Sequence, residues 1–248
     1  MNQLYVGFSK QIELPKGGFL FIDDEVREIP RSRVFDPMLH SFNPLADIDY
    51  KKARELADVL YTVYPQGENT LTVRNGKRLL LGALLGANRL DRVQGGFGRN
   101  PGDDEVSGLM GDILASPVLR RVLCNPTNFS FNPNSKIMAK LDRAVLGDFD
   151  ALVLGLLLMA QFKGQVVVPD FGFYGRDAHM SLIRQGRLVA GVNTLVELSP
   201  KLRQAVLLMP EKIGSGTTAD DAETLAIYAG HTRATVAYND YVKGAIGL

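Results

Sequence analysis

The stretch QVVVPD, residues 165–170, decides the fold. Three consecutive valines are typical of a short strand that is buried on both faces, as the strands of a parallel sheet are. Pro169 has no backbone N–H to donate, so it ends the strand. Asp170 therefore lies at the carboxyl end of a buried strand, which is where open α/β proteins bind their ligands. We expect Asp170 either to contact a metal ion or ligand or to cap the turn that follows.

Strand-like and helix-like runs alternate on both sides of this stretch, between residues 131 and 230. The predicted strands are residues 136–141, 165–168, 187–192 and 211–214. The predicted helices are residues 148–163 with Asp148 at the N-cap, 176–185, 200–209 with Ser199 at the N-cap, and 218–229. Apolar strands that alternate with helices predict an α/β protein, with a mostly parallel sheet that carries helices on both faces.

The N-terminal half is less regular. Residues 17–25 (GGFLFIDDE) predict a further strand that ends in acids, and residues 32–45 a short strand followed by two prolines. Residues 50–64 and 76–90 predict amphipathic helices, and residues 95–105 (GGFGRNPGDDE) a loop whose closing acids begin a helix. We therefore expect one domain, residues 1–248, with an irregular helical insertion at about 46–130.

Composition excludes several classes of protein. The formal net charge of the 248 residues is +1, so a DNA-binding surface would have to be a local patch. The single cysteine, Cys124, excludes a disulfide framework and a cysteine-based zinc site, and it fits a reducing compartment, so we expect a cytoplasmic protein. The most apolar segment, residues 151–162, is too short to span a bilayer. We also expect no signal peptide, because no charged region precedes an apolar run at the N-terminus.

The sequence holds no phosphate-binding loop of the G-x-x-x-x-G-K-[ST] type, in which backbone N–H groups and a lysine surround the phosphates. The only Gly-Lys pair, Gly76-Lys77, is followed by Arg78, and Leu71 stands where the first glycine belongs. In the glycine-rich loop at residues 95–98, Pro101 replaces the third glycine of a dinucleotide-binding motif. We interpret that loop as solvated.

Acidic residues follow two of the predicted strands. Asp23, Asp24 and Glu25 end the strand at residues 17–25, and Asp170 ends the strand at 165–168. Carboxylates at neighbouring strand ends can bind Mg²⁺, so Asp23, Asp24 and Asp170 are candidate metal ligands.

The histidines give a weaker signal. His40 lies near Asp36, and His231 near Asp240, in sequence, so each can pair with an acid. A lone histidine without a second ligand is more often structural.

The order of several motifs resembles the HerA/FtsK-type DNA-pumping ATPases, and the conjugation coupling proteins in particular. VFDP at 34–37 followed by SFNPL at 41–45 is similar to a stretch of those proteins. Residues 136–141, Leu146-Gly147 and the helix after them resemble the segment before the Walker B strand, and residues 166–170 then fall in the Walker B position. GRLVAGVN at 186–193 and TTADDAETLAIYAG at 217–230 resemble the sensor strand and a late helix.

This resemblance implies a RecA-like α/β core in which Asp170 is the Walker B acid and Asn193 occupies the sensor position. It also shows two departures from the family. No Gly-Lys-Ser/Thr precedes the strand at residues 17–25, and Phe171 stands where the catalytic glutamate belongs. Phosphoryl transfer depends on those groups. We therefore expect a domain that does not hydrolyse ATP and needs no cofactor.

The function implied is that of a subunit or interaction module of a DNA-transfer, packaging or mobile-element machine. Its partners would be DNA and other subunits in a homo- or hetero-oligomer. A basic surface for DNA would come from Arg27, Arg31 and Arg33, or from Lys201 and Arg203. Each group is also typical of an ordinary solvated surface.

Two alternatives stay open. The first is an active ATPase or hydrolase that binds ATP and Mg²⁺ and is completed by another chain or by a longer natural polypeptide. One form of it would bind Mg²⁺ through Asp23, Asp24, Glu25 and Asp170. The second is a purely structural assembly protein.

Overall fold

The computed structural model describes residues 1–7, 11–24, 29–64, 70–93, 103–229 and 234–236. These residues form eight strands: β1 Gln3–Val6, β2 Phe19–Asp23, β3 Arg33–Phe35, β4 Lys136–Lys140, β5 Gln165–Val168, β6 Leu188–Val192, β7 Glu211–Gly214 and β8 Ala234–Val236. They also form ten α-helices: α1 Tyr50–Leu60, α2 Thr70–Leu85, α3 Asp103–Ala115, α4 Pro117–Cys124, α5 Arg143–Leu146, α6 Asp148–Gln161, α7 Phe171–Tyr174, α8 Met180–Arg184, α9 Pro200–Leu207 and α10 Ala219–Ala229.

The chain divides into two compact units. Unit 1 comprises Met1–Asp23, Pro133–Lys136 and Lys163–Leu248, and unit 2 comprises Asp24–Asn132 and Ile137–Phe162. Helices α1 to α4 of unit 2 lie in the stretch where the sequence predicts a helical insertion. That these helices form an insertion into a single domain stays a prediction.

Unit 1 contains a parallel sheet with the strand order β2-β5-β6-β1-β7-β8. The predicted strand at Gln165–Val168 is confirmed as β5. Val167 pairs with Phe21 of β2 on one side and with Val189 of β6 on the other. All three valines of β5 are fully buried. The valine run that predicts a strand buried on both faces therefore lies in the interior of this sheet.

Strand β1 is not among the strands predicted from the sequence. It lies between β6 and β7, and its residues Leu4, Tyr5 and Val6 are at most 1% exposed. β1 has only four residues, too few for a clear alternation of apolar and polar side chains. The run Leu4–Val6 followed by Gly7 was the available signal, since β-branched and aromatic residues favour strands.

Two helix predictions need correction. Residue Asp148 is not the N-cap of α6: Gly147, with φ of 80°, caps it without a side-chain hydrogen bond. A left-handed backbone of this kind favours glycine. The helix predicted at 176–185 is instead a 3₁₀ turn at Asp177–His179 followed by the short α8, and α7 precedes both. The Ser199 cap of α9 is confirmed, because its hydroxyl accepts the N–H of Leu202 at 3.2 Å.

Unit 2 contains the parallel pair β3–β4 and helices α1 to α6. The sequence analysis missed α4. Its N-cap Ser116 accepts the N–H of Leu119 and donates a 2.5 Å hydrogen bond to the buried carboxylate of Asp150 on α6. In the described part of the chain, no helix combines the length and the apolar character needed to cross a bilayer.

His179 in unit 1 gives a test of the fold by pH. Its ring is 1% exposed, and Nδ1 accepts the backbone N–H of Arg176 at 3.1 Å. Burial, and secondarily the Arg176 charge, lower the pKa of His179 from 6.5 to about 3. Between about pH 6.5 and pH 3, His179 is therefore protonated in the unfolded chain and neutral in the folded chain. The stability that His179 contributes is complete above pH 6.5 and falls as the pH drops towards 3.

We expect unfolding by urea, followed between about pH 7 and pH 4, to show this loss at up to about 1.4 kcal/mol per pH unit. His179→Asn is the matched variant, because its side-chain oxygen can accept the same N–H without titrating. Its stability should depend less on pH than that of the wild type. If the free energy of unfolding changed with pH equally in the wild type and in His179→Asn, the pH dependence would not come from His179.

Candidate functional site

The predicted site residues of unit 1 lie at one edge of its sheet. Asp23 is the last residue of β2, Asp170 follows β5 by two residues, and Asn193 follows β6 directly. Because β2, β5 and β6 are adjacent and parallel, their carboxyl ends lie side by side. Gly7, the residue after β1, reaches the same edge. Asp24 belongs to unit 2.

Asp170 caps the short helix α7. Its carboxylate accepts the backbone N–H of Phe173 at 3.3 Å, and its φ and ψ are −107° and 61°. Of the two roles expected for Asp170, the structure therefore shows the cap of the turn that follows β5. A role of Asp170 as a metal ligand stays a prediction.

A second carboxylate, which the sequence analysis missed, lies against α7. Glu197 ends the 3₁₀ turn that follows β6, and its Oε2 accepts the backbone N–H of Asn193 at 3.2 Å. The same oxygen lies against Gly172, where a Cβ would overlap it. Glu197 therefore connects the end of β6 with the first turn of α7, immediately beside the Asp170 cap. Only the three-dimensional fold brings residues 170 and 197 together.

The two acids at the end of β2 have different surroundings. Asp23 is 8% exposed. Asp24 lies within unit 2 against Arg143, with its Oδ2 2.5 Å from both Nε and Nη2 of the guanidinium. A metal ion at Asp24 would therefore have to compete with a charged partner. Glu25 lies outside the described residues, and among those described no three His, Cys, Asp or Glu side chains are grouped closely enough to hold a metal ion.

The carboxyl end of β1 is closed by backbone on both sides. Gly7 donates its N–H to Val192 at 3.0 Å, and Ser215 donates to the carbonyl of Val6 at 2.9 Å. Gly7 has a φ of 117°, and a Cβ at this position would overlap the carbonyl oxygen of Ser215. Glycine is therefore required here by both conformation and space.

The connection from β1 to β2 is short and, where it is described, contains no helix. Residues 11–18 are irregular, and β2 begins at Phe19. Phosphate-binding loops lead from a strand into the N-terminus of a helix, whose free N–H groups and dipole attract the phosphates. No such helix terminus exists in the described part of this connection.

The Gly-Lys pair at residues 76 and 77 has a structural role. Both residues lie inside α2, where Gly76 admits the ring of Tyr61 so closely that a Cβ would overlap it. Lys77 forms a 3.1 Å ion pair with Asp58. Because Gly76 and Lys77 lie in the middle of a helix, they do not form a nucleotide-binding loop. The predicted loop at residues 95–102 lies outside the described residues.

The histidines do not form acid–base pairs in the described part of the chain. His40 accepts the backbone N–H of Asp36 at 3.0 Å through Nδ1 and stacks against Phe35. His231 and Asp240 lie outside the described residues.

The predicted basic residues differ in exposure. Arg31 is exposed with a φ of 62°, and Arg33 is exposed, donates to the carbonyl of Ser130 at 3.1 Å and lies 4.6 Å from the centre of the Phe129 ring. Both belong to unit 2. In unit 1, Lys201 is exposed, whereas Arg203 is half-buried and donates to the carbonyl of Leu198 at 3.4 Å. Arg27 lies outside the described residues.

Comparison with known proteins identifies the fold. No family model and no curated protein matches the sequence. Among solved structures, the bacterial conjugative coupling protein TrwBdeltaN70 with sulphate is similar, with a TM-score of 0.52 at 12% identity, over 90% of this chain and 72% of that one. TrwB with the GTP analogue GDPNP has a TM-score of 0.50 at 12% identity, over 92% and 68%. VirB4 of Thermoanaerobacter pseudethanolicus has 0.50 at 10% identity, over 94% and 81%.

These likenesses confirm the predicted α/β fold of the RecA-like type and the resemblance to the conjugation coupling proteins. At such low identity they show the fold alone. The assignment of Asp170 and Asn193 to the Walker B and sensor positions stays a prediction.

Substitution of Asp170 tests its role. We expect Asp170→Ala to lower the free energy of unfolding by about 1 kcal/mol, because the N–H of Phe173 loses its acceptor. Asp170→Asn retains a capping oxygen and should lose less. Thermal unfolding of the two variants with and without Mg²⁺ provides the measurement. A stabilisation by Mg²⁺ that the wild type shows and Asp170→Asn lacks would indicate a metal ligand instead of a cap alone.

Proposed function

We propose that this chain is an ATPase-like domain that does not hydrolyse ATP and acts as a subunit or interaction module of a DNA-transfer machine. The fold it shares with a bacterial conjugative coupling protein supports the setting. The main support for a loss of hydrolysis comes from the connection between β1 and β2. Its described residues 11–18 form no helix that could bind a phosphate at its N-terminus.

The environment of β1 supports the same conclusion. A nucleotide phosphate needs several backbone N–H groups that converge on it. Here the N–H of Gly7 is bonded to Val192 and that of Ser215 to Val6, so both are occupied within the sheet. The carbonyl oxygen of Ser215 also lies against Gly7, and a carbonyl repels an anion.

A second candidate function, an active hydrolase, is favoured by Glu197. Phe171 follows Asp170 where the family has its catalytic glutamate, yet the Glu197 carboxylate lies against the next residue, Gly172. A carboxylate near that place could orient water beside a metal ion held by Asp170. Such a domain would need a phosphate-binding loop from another chain or from a longer natural polypeptide.

Calorimetric titration of ATP with Mg²⁺, together with a phosphate-release assay, separates the two functions. We expect no binding tighter than about 1 mM and no turnover. Glu197→Gln and Asp170→Asn serve as matched variants, because each keeps its shape and loses its charge. Turnover by the wild type that either variant abolishes would refute the proposal and support the hydrolase.

DNA binding is a separate prediction, based on the exposed pair Arg31 and Arg33. We expect single- or double-stranded DNA to be retained at low salt and released as salt rises, since each phosphate contact releases counterions. Arg31→Gln with Arg33→Gln should reduce the salt dependence of log Kd by about two ions. Lys51→Gln, an exposed lysine at the start of α1, is the control. Absence of retention even at low salt would favour a purely structural assembly protein.

A further inference from the structure

An open groove lies between α8 and α9 of unit 1, on the side of the sheet where the strands begin. Its volume is about 720 Å³. Its apolar lining includes Met180 and Ile183 of α8, Ala205 and Leu208 of the α9 segment, and Met1. Met1 and Leu208, which both line the groove, are 72% and 67% exposed, so two of its large apolar side chains face solvent. The groove therefore presents apolar surface that the described residues of its own chain leave uncovered.

The charged residues that line this groove are basic. Arg184 lies on α8 and Lys201 on α9, and no described acid lines it. Arg184 forms no ion pair with another described residue, and Lys201 lies 4.0 Å from Asp177 with 67% of its side chain exposed. Such a long, exposed contact contributes little. The groove thus combines an apolar floor with a positive rim.

Helix α10 of the same unit presents the complementary surface. Asp220, Glu223 and Ile227 are all exposed, and their spacing of three and four residues places them on one face of the helix. Ile227 is 67% exposed. Asp220 and Glu223 form no ion pair with another described residue. On this acidic face, Ile227 lies about 10 Å along the helix axis from Asp220.

We propose that the α8–α9 groove of one copy of this chain receives the α10 face of a second copy. Ile227 enters the apolar floor between Met180 and Leu208, while Asp220 and Glu223 contact Arg184 and Lys201 at the rim. The contact is a helix bound in a groove, with charge complementarity that sets its direction. It rests on the surface of unit 1 and not on the proposed loss of ATP hydrolysis.

The direction of this contact has a consequence for assembly. The groove and the α10 face are different surfaces of one chain, so each copy that donates its helix still has a free groove. Association is therefore head-to-tail and yields a ring where the rotation closes, or an open chain where it does not.

Sedimentation velocity over a range of protein and salt concentrations tests the proposal. We expect the wild type to self-associate most strongly at low salt. Arg184→Glu with Lys201→Glu, the groove variant, should weaken association at least about tenfold, because it opposes like charges. Ile227→Asp, the helix variant, should do the same. Arg54→Glu, an exposed arginine on α1 of unit 2, is the control and should associate as the wild type does.

Two further samples distinguish head-to-tail contact from a folding defect. An equimolar mixture of the groove variant and the helix variant retains one intact groove and one intact helix, so it should form a 1:1 complex and nothing larger. Adding Asp220→Lys and Glu223→Lys to the groove variant should restore self-association by reversing both charges. A wild type that is monomeric throughout, variants that associate unchanged, or a mixture without complex would each overturn the proposal.

Discussion

Two backbone hydrogen bonds at the end of β1 constrain the candidate site of unit 1. The N–H of Gly7 donates to the carbonyl of Val192, the last residue of β6, and the N–H of Ser215, which follows β7, donates to the carbonyl of Val6. These bonds extend the ladder of a four-residue strand by one step on each side. Since Leu4, Tyr5 and Val6 are fully buried, β1 also supplies apolar contact across the middle of the sheet. A strand this short would be weak alone and is stabilised because it pairs on both edges.

The same closure occupies backbone N–H groups at the carboxyl edge of the sheet. In a phosphate-binding loop the chain leaves its strand as an open loop, so that N–H groups point to the ligand. At Gly7 the chain instead passes against the carbonyl of Ser215, at a φ of 117° that only glycine adopts without strain. An architecture shared with nucleotide-binding proteins thus coexists with an edge whose first N–H groups are already bonded. The fold alone therefore does not establish an activity.

Several elements could be predicted because their cause is local. The valines of β5 are apolar in succession and are bounded by Gly164 and Pro169, so period and turn residues agree. Ser199 before Pro200 specifies a helix start through one hydroxyl and one fixed φ. β1 has a weaker local signal, the run Leu4–Val6 before Gly7, and its burial comes from β6 and β7, which are far away in sequence. The helix predicted at residues 176–185 failed because the buried ring of His179 bonds the backbone of Arg176 and closes a tighter turn first.

The candidate site shows the limit of motif reasoning more clearly. If Asp170 holds the Walker B position, as the resemblance implies, Phe171 stands at the chain position where the family has a glutamate. The requirement of a hydrolytic site, however, is a carboxylate at a place in space, not at a chain position. Glu197 reaches α7 from the turn after β6, because Gly172 leaves room for its oxygen and the N–H of Asn193 holds it. A sequence pattern can therefore compare chain positions, but whether a carboxylate lies close to Asp170 depends on contacts that only the fold defines.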